Sequence, residues 1–247
     1  MFNLDALEMM RTVEIDRIVA YFPPGARVLE IGAGTGQQAA AISRRGFSIE
    51  AIELPSSRYG AVRDFPITDY DGRHIPFPDA SFDVVFSSNV LEHVPDLAQL
   101  NAEIRRVLKP DGLCIHVMPT HGWRFWTTLT SLPACLQYVL APPKSALPQD
   151  ADAARPSSRF QQLRRHFGRH GAHGNVAAEL WLFHPARWRQ VFKAYGYEIV
   201  ADRPIGIFYT GNTIFGKTVP IAWRERLARF LGSACHIYVV KPARRPD

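Results

Sequence analysis

VLEIGAGTG, running from Val28 to Gly36, is the stretch that decides the fold. An apolar strand enters three glycines at alternate positions, Gly32, Gly34 and Gly36, and a small-residue helix, QQAAAISRRG, follows. Glycine reaches backbone angles that other residues avoid, and without a Cβ it lets the main chain lie against a ligand. The helix start turns its unpaired N–H groups and positive dipole end toward the same place. Strand, glycine turn and helix together predict a nucleotide-like cofactor site in an α/β fold. A strict dinucleotide fingerprint reads G-x-G-x-x-G. Its last position is Gln37 when counted from Gly32 and Ala39 when counted from Gly34, so the glycines alone leave the nucleotide undecided.

The flanks say more. From Glu30 to Gly36 the chain reads E-x-G-x-G-x-G. An anionic side chain there would repel a diphosphate but not a cationic ligand. This resembles motif I of the class I S-adenosylmethionine-dependent methyltransferases, whose cofactor carries a sulfonium and an ammonium and no phosphate. Further matches follow in order. SIEAIE, Ser48 to Glu53, reads as a second strand ending in a carboxylate where a ribose-binding acid is expected. DGRHIPFPDASFDVVFSSNVLEHVPD, Asp71 to Asp96, is similar to the type 11 methyltransferase subfamily almost position by position. In that family the acid before the IPFPD-like run contacts the adenine amino group, which implies this role for Asp71. Altogether the resemblance implies cofactor contacts from Glu30, Gly32, Ala33, Gly34, Gly36, Glu53, Leu54, Asp71, Gly72, Asn89 and Val90. Read without it, Glu30 also suits a cap on the loop amides and Glu53 a solvated strand end. Asp71 and Asn89 suit turn residues.

With RVLKPDG, Arg106 to Gly112, turning into the strand LCIHVMP, the ordered matches cover residues 28 to 119. They imply a Rossmann-like three-layer α/β/α sandwich with a seven-stranded, mostly parallel sheet, its last strand antiparallel near His236 to Lys241. The chain then reads as a single domain. Residues 1–25 give an N-terminal helix, stopped by Pro23-Pro24-Gly25, and 26–119 the cofactor-binding half. A helical insertion after strand 5, residues 120–180, would bind the acceptor or act as a lid, and 181–247 would complete the sheet. In DLAQLNAEIRRVLKPDG, Leu97, Leu100, Ile104, Val107 and Leu108 form one apolar stripe, with Asp96 as N-cap and Lys109-Pro110 at the exit.

At 247 residues the chain can bury a full core. Cys114, Cys135 and Cys235 show no C-x-x-C spacing, so neither a disulfide framework nor a zinc ribbon is expected. MFNLDALEMM lacks a basic region followed by an apolar run, which predicts no secretory signal. The cytoplasm is the expected compartment, with peripheral attachment to the inner face of a membrane as the variant.

Charge is divided along the chain. Residues 1 to 112 hold 11 Lys+Arg against 16 Asp+Glu, and 113 to 247 hold 18 against 7. Such asymmetry suggests an anionic partner, whether a lipid surface, a phosphorylated acceptor or RNA. GWRFWTTLTSLPACLQYVLA, Gly122 to Ala141, is apolar and aromatic, but Arg124, Pro133 and Gln137 make it a poor membrane span. A lid over an apolar acceptor and an interfacial helix are its two readings. RPSSRFQQLRRHFGRHGAHG, Arg155 to Gly174, suits either phosphate contact or a solvated loop. His166, His170 and His173 have metal-like intervals, yet Gly168 and Gly171 interrupt a helix and no carboxylate accompanies them, so no metal is expected.

The implied reaction is methyl transfer to a small-molecule, lipid-linked or glycan acceptor, most simply at oxygen. A hydroxyl acceptor needs a proton acceptor, for which His93, His121 and Glu179 are the candidates. Methylation of RNA or another polyanion is the second reading, disfavoured by SSNVLEHV in place of an Asn/Asp-Pro-Pro-aromatic motif. A non-catalytic protein that keeps the fold for binding or membrane docking is the third.

Overall fold

The computed structural model describes residues 4–57, 63–131, 170–211 and 216–243. Its strands are β1 (Arg27–Ile31), β2 (Ser48–Glu53), β3 (Thr68–Asp69), β4 (Phe82–Ser88), β5 (Leu108–Pro119), β6 (Tyr197–Pro204) and β7 (Cys235–Pro242). They form one seven-stranded sheet in the order β3-β2-β1-β4-β5-β7-β6. Pairing is parallel from β3 across to β5, and β7 runs antiparallel to both β5 and β6. The expected sheet and its single reversed strand are therefore present.

Helices numbered over the described residues are α1 (Leu4–Ile18), α2 (Gln37–Ser43), α3 (Leu97–Val107), α4 (His121–Leu129), α5 (Val176–Leu182), α6 (Pro185–Ala194) and α7 (Ile221–Leu231). Alternation along the strands explains the three layers. Val28, Val84, Phe86, Ile115 and Val117 face Met10, Ile15 and Ile18 of α1 and Ile42 of α2. Their neighbours Leu29, Ile31, Val85 and Cys114 face Leu100 and Ile104 of α3 and Trp188 and Phe192 of α6. Central strands buried on both faces read as continuous apolar runs, as VLEI and FDVVF do. Each fully buried Val, Leu, Ile or Phe contributes about 1.5–3 kcal/mol, so these two faces dominate the folding energy.

Asp96 caps α3, accepting from the Gln99 N–H at 3.0 Å. The helix stops at Val107; Leu108 already belongs to β5 and pairs with Phe82, so the stripe hands its last apolar residue to the sheet. Of the stretch from Gly122 to Ala141, the part to Ser131 is described and includes most of α4. Pro133, Cys135 and Gln137 lie outside the described residues, as does Arg155–Gly174 up to position 169. Cys114 and Cys235 are buried thiols. Among the described residues no helix is long and apolar enough to cross a membrane.

Candidate functional site

The strand order reverses between β1 and β4, and the loops that leave the carboxyl ends of β1 to β4 gather there. Gly32 has φ +74°, and a Cβ on it would lie 2.5 Å from Cγ2 of Val90. Only glycine lets the β4 loop rest on the β1 loop. Gly36, at φ +84°, starts α2 against Phe65. The loop is pinned to β2, because the Gly32 and Ala33 N–H groups donate to the Ile52 carbonyl at 2.9 and 3.1 Å. Glu53 accepts from the Gly34 N–H at 2.8 Å and from the Leu54 N–H at 2.7 Å. Leu54 in turn borders Gly72, whose Cβ would fall 2.9 Å from Cδ2 of Leu54. Thus Gly32, Ala33, Gly34, Gly36, Glu53, Leu54, Gly72 and Val90 converge on one crevice. A groove of about 210 Å³ opens beside it between α1 and α2, lined by Arg11, Thr12, Gln37, Gln38 and Asp64 among others.

Glu30 supplies the electrostatic character. It is 1% exposed, and its Oε2 has no hydrogen-bond partner. Burial pushes its carboxyl up to about 8; the Ala39 N–H opposes this, nearby Glu53 adds to it, and Arg11 opposes it. Asp71 behaves differently. Its Oδ1 accepts from the Arg73 and His74 N–H groups, both at 2.7 Å, and its Oδ2 lies 2.7 Å from His74 Nδ1. The His74 N–H, the His74 ring and the Arg73 N–H hold this exposed carboxyl well below its usual range. Asp71 is therefore already bonded to its own turn.

Asn89 leaves β4 with φ +54°, a left-handed conformation that Asn tolerates better than most residues. Its amide oxygen, turned toward α1, accepts from both terminal nitrogens of Arg11 at 2.8 Å. Arg11 also donates to Ser88 Oγ at 3.1 Å and pairs with buried Glu14 at 2.5 Å. The Tyr209 hydroxyl donates to Glu14 at 2.8 Å and lies 3.1 Å from Cys235 Sγ. The sequence predicts the N-terminal helix but does not single out Arg11, Glu14 or Tyr209. Their side chains come from opposite ends of the chain, and no motif links them.

The three proton-acceptor candidates lie on different elements. His93 ends the helical turn Leu91–His93, with Nε2 3.8 Å from Glu92 Oε1. His121 begins α4, and its ring centroid is 4.6 Å from that of His184. Burial and then His184 lower its pKa, leaving the neutral imidazole that accepts protons. Glu179 is fully buried in α5, its Oε2 2.7 Å from Arg124 Nε and its Oε1 accepting from the His170 and Gly171 N–H groups at 2.6 and 2.7 Å. Such a carboxylate ties α4 to the segment before α5. Glu92, adjacent to His93 and buried, is the residue the sequence reading passed over; the Glu-His pair in LEHV was its signal.

A family described as "Methyltransferase domain" matches residues 10–202. Among curated proteins, an uncharacterized methyltransferase of Mycobacterium sp. (strain KMS) is 41% identical over 100 residues, 38% of each chain. A 2-methyl-6-phytyl-1,4-hydroquinone methyltransferase of Synechocystis is 32% identical over 101 residues, 38% of this chain and 32% of that one. The chain thus spans about a third of the length of these relatives. Among solved structures, a SAM-dependent methyltransferase of Aquifex aeolicus superposes with a TM-score of 0.53 at 12% identity over 96% of this chain and 94% of that one. One from Mesorhizobium loti gives 0.53 at 19% over 92% and 97%. These two likenesses are of fold.

The crevice fits S-adenosylmethionine on its own chemistry. An unpartnered buried carboxylate oxygen suits a cation, the glycines leave main-chain surface that a Cβ would fill, and Glu53 offers a carboxylate at the end of β2. Fold, crevice and family match agree: the chain belongs to the methyltransferase domain family, the class I S-adenosylmethionine-dependent methyltransferases.

Proposed function

We propose that the protein transfers a methyl group to an oxygen of a small-molecule, lipid-linked or glycan-linked acceptor. The observation that carries the donor half is Glu30, whose buried, unpartnered oxygen stands at the glycine loop where a cationic ligand would neutralise it. Glu30 and the loop main chain would take the charged end of S-adenosylmethionine, Glu53 its ribose, and Leu54 and Gly72 the base. When bound, that cofactor supplies a methyl group already activated on a sulfonium.

The chain's own task is then to orient an acceptor and exclude water. The Arg11–Asn89 contact fixes the loop after β4, and α4 and α5 are tied to each other by Arg124 and Glu179. His121 is the proposed acceptor of a hydroxyl proton, with His93 as the alternative. An apolar acceptor is favoured by Phe125 and Leu129 on α4 and Trp181 on α5, all about half exposed. The Synechocystis relative named for a phytyl hydroquinone points the same way.

Incubating the protein with methyl-labelled S-adenosylmethionine and fractionated cell extract tests this reading. Label is expected in lipid or small soluble material. Label in RNA, with binding that weakens steeply as salt rises, would favour the second reading, whose support is the excess of 18 Lys+Arg over 7 Asp+Glu beyond residue 112. Failure to bind S-adenosylmethionine in calorimetry would leave a binding protein.

A further inference from the structure

The turn leaving β4 carries Glu92 and His93, and the segment before α5 brings His170 against them. The Glu92 side chain is 0% exposed, yet neither of its carboxylate oxygens has a hydrogen-bond partner. A buried carboxylate left in that state is costly, so this one calls for a positive partner. His93 Nε2 and His170 Nε2 each lie 3.8 Å from Glu92 Oε1, beyond hydrogen-bond range. The three ligand atoms all fall within 4.8 Å of one another. Ligands of a tetrahedral zinc, with bonds of about 2.0–2.2 Å, sit about 3.3–3.5 Å apart, and small side-chain rotations close the difference.

The placement is built by the fold. The Ala172 N–H donates to the Glu92 carbonyl at 2.8 Å, and a Cβ on Gly171 would lie only 3.0 Å from that carbonyl oxygen. Glu179 holds the His170 and Gly171 N–H groups, and the His170 ring stands edge-on to Trp123 with centroids 4.8 Å apart. The missing carboxylate, which counted against a metal near His170 in the sequence, is thus supplied from the turn after β4.

We propose that Glu92, His93 and His170 bind one divalent transition-metal cation beside the cofactor crevice. Two imidazoles and a carboxylate with an open position are the ligands of catalytic zinc and of non-haem iron centres. Val90, two residues before Glu92, packs on Gly32, so the cation borders the donor loop. A hydroxyl taking the open position would be acidified as metal-bound water is. That consequence rests on the oxygen-acceptor reading; the binding of the cation does not.

The test titrates zinc ion into the full chain, stripped with chelator and free of S-adenosylmethionine, by calorimetry. One zinc per chain is expected. The affinity should fall at least 100-fold in Glu92→Gln and His170→Ala and stay unchanged in His173→Ala, an exposed histidine outside the cluster. Cobalt in place of zinc should give visible ligand-field bands that Glu92→Gln abolishes. Should Glu92→Gln fail to fold by its melting curve, His93→Ala and His170→Ala, with side chains 44% and 33% exposed, carry the test. Absence of zinc binding in the wild type, equal affinity in the cluster variants, or loss in His173→Ala would overturn the proposal. A zinc-binding protein that methylates no oxygen acceptor refutes only the acceptor reading, and an active one without zinc refutes only this site.

Discussion

Position 30 lies in a central strand where a branched apolar side chain would ordinarily pack, and it holds a carboxyl. With its pKa pushed up to about 8 by burial, Glu30 is mostly protonated at pH 7 in the protein alone. A cation brought to its unpartnered oxygen favours the ionised form, so cofactor binding expels the proton. Calorimetry at pH 7 in two buffers of different ionisation enthalpy should therefore register release of about one proton per S-adenosylmethionine bound. Glu30→Gln should abolish that release and weaken binding by about 10- to 100-fold, the scale of a lost charged hydrogen bond. Binding without proton exchange in the wild type would refute the assignment. The acid at this position was legible in E-x-G-x-G-x-G; its proton was not. The pKa depends on the closure of α2 over β1 and on Glu53 and Arg11, distant in sequence. Asp71 gives the converse case, since its near neighbours Arg73 and His74 are the residues that engage its carboxylate.

At the scale of elements, strands were legible where burial on both faces produces an unbroken apolar run, as in β1, β4 and β7. The two-residue β3 and the seven-residue α5 are too short to show a period. α5 is held from outside. Asn175 caps it by accepting from the Ala178 N–H at 2.9 Å, and Glu179 joins it to Arg124 of α4. Both partners of that pair are nearly inaccessible, 4% and 0% exposed. Removing the carboxylate would break a buried ion pair, so Glu179→Ala should cost about 3–5 kcal/mol in urea unfolding. Glu179→Gln keeps an oxygen for the His170 and Gly171 N–H groups and should retain the shape of the pH–rate profile. A general base at this position would instead lose 10²- to 10⁴-fold in kcat on that change and flatten one limb of the profile. The outcome separates a clamp from a proton acceptor at one residue.

Over the whole molecule, two buried groups with opposite shifts set the pH range in which the fold is stable. His116, in β5, lies with Nδ1 2.8 Å from Ser87 Oγ and stacks on Phe192, and burial lowers its pKa from 6.5 to about 3. Between those values the unfolded chain binds a proton that the folded chain does not, so stability rises with pH and its contribution is complete above 6.5. Glu30 runs the other way. Its folded pKa is about 8 against 4.5 ordinarily, so between those values the folded chain holds the extra proton and stability falls as pH rises. From pH 4.5 to 6.5 these two slopes cancel, leaving the shallow rise with pH that His121 and His236, also held below their ordinary value by burial, contribute. Below that window stability falls toward pH 3, where Glu103 and Asp202 also lose carboxylates held by Arg106 and Arg189. Above it, stability declines toward pH 8 by about 1.4 kcal/mol per unit for the single proton. Urea unfolding at half-unit pH steps checks both limbs. Glu30→Gln should remove the alkaline decline alone, and saturating S-adenosylmethionine should do the same by compensating the charge. A decline that survives both would assign the alkaline limb to another group and leave Glu30 ionised in the folded protein without a cation.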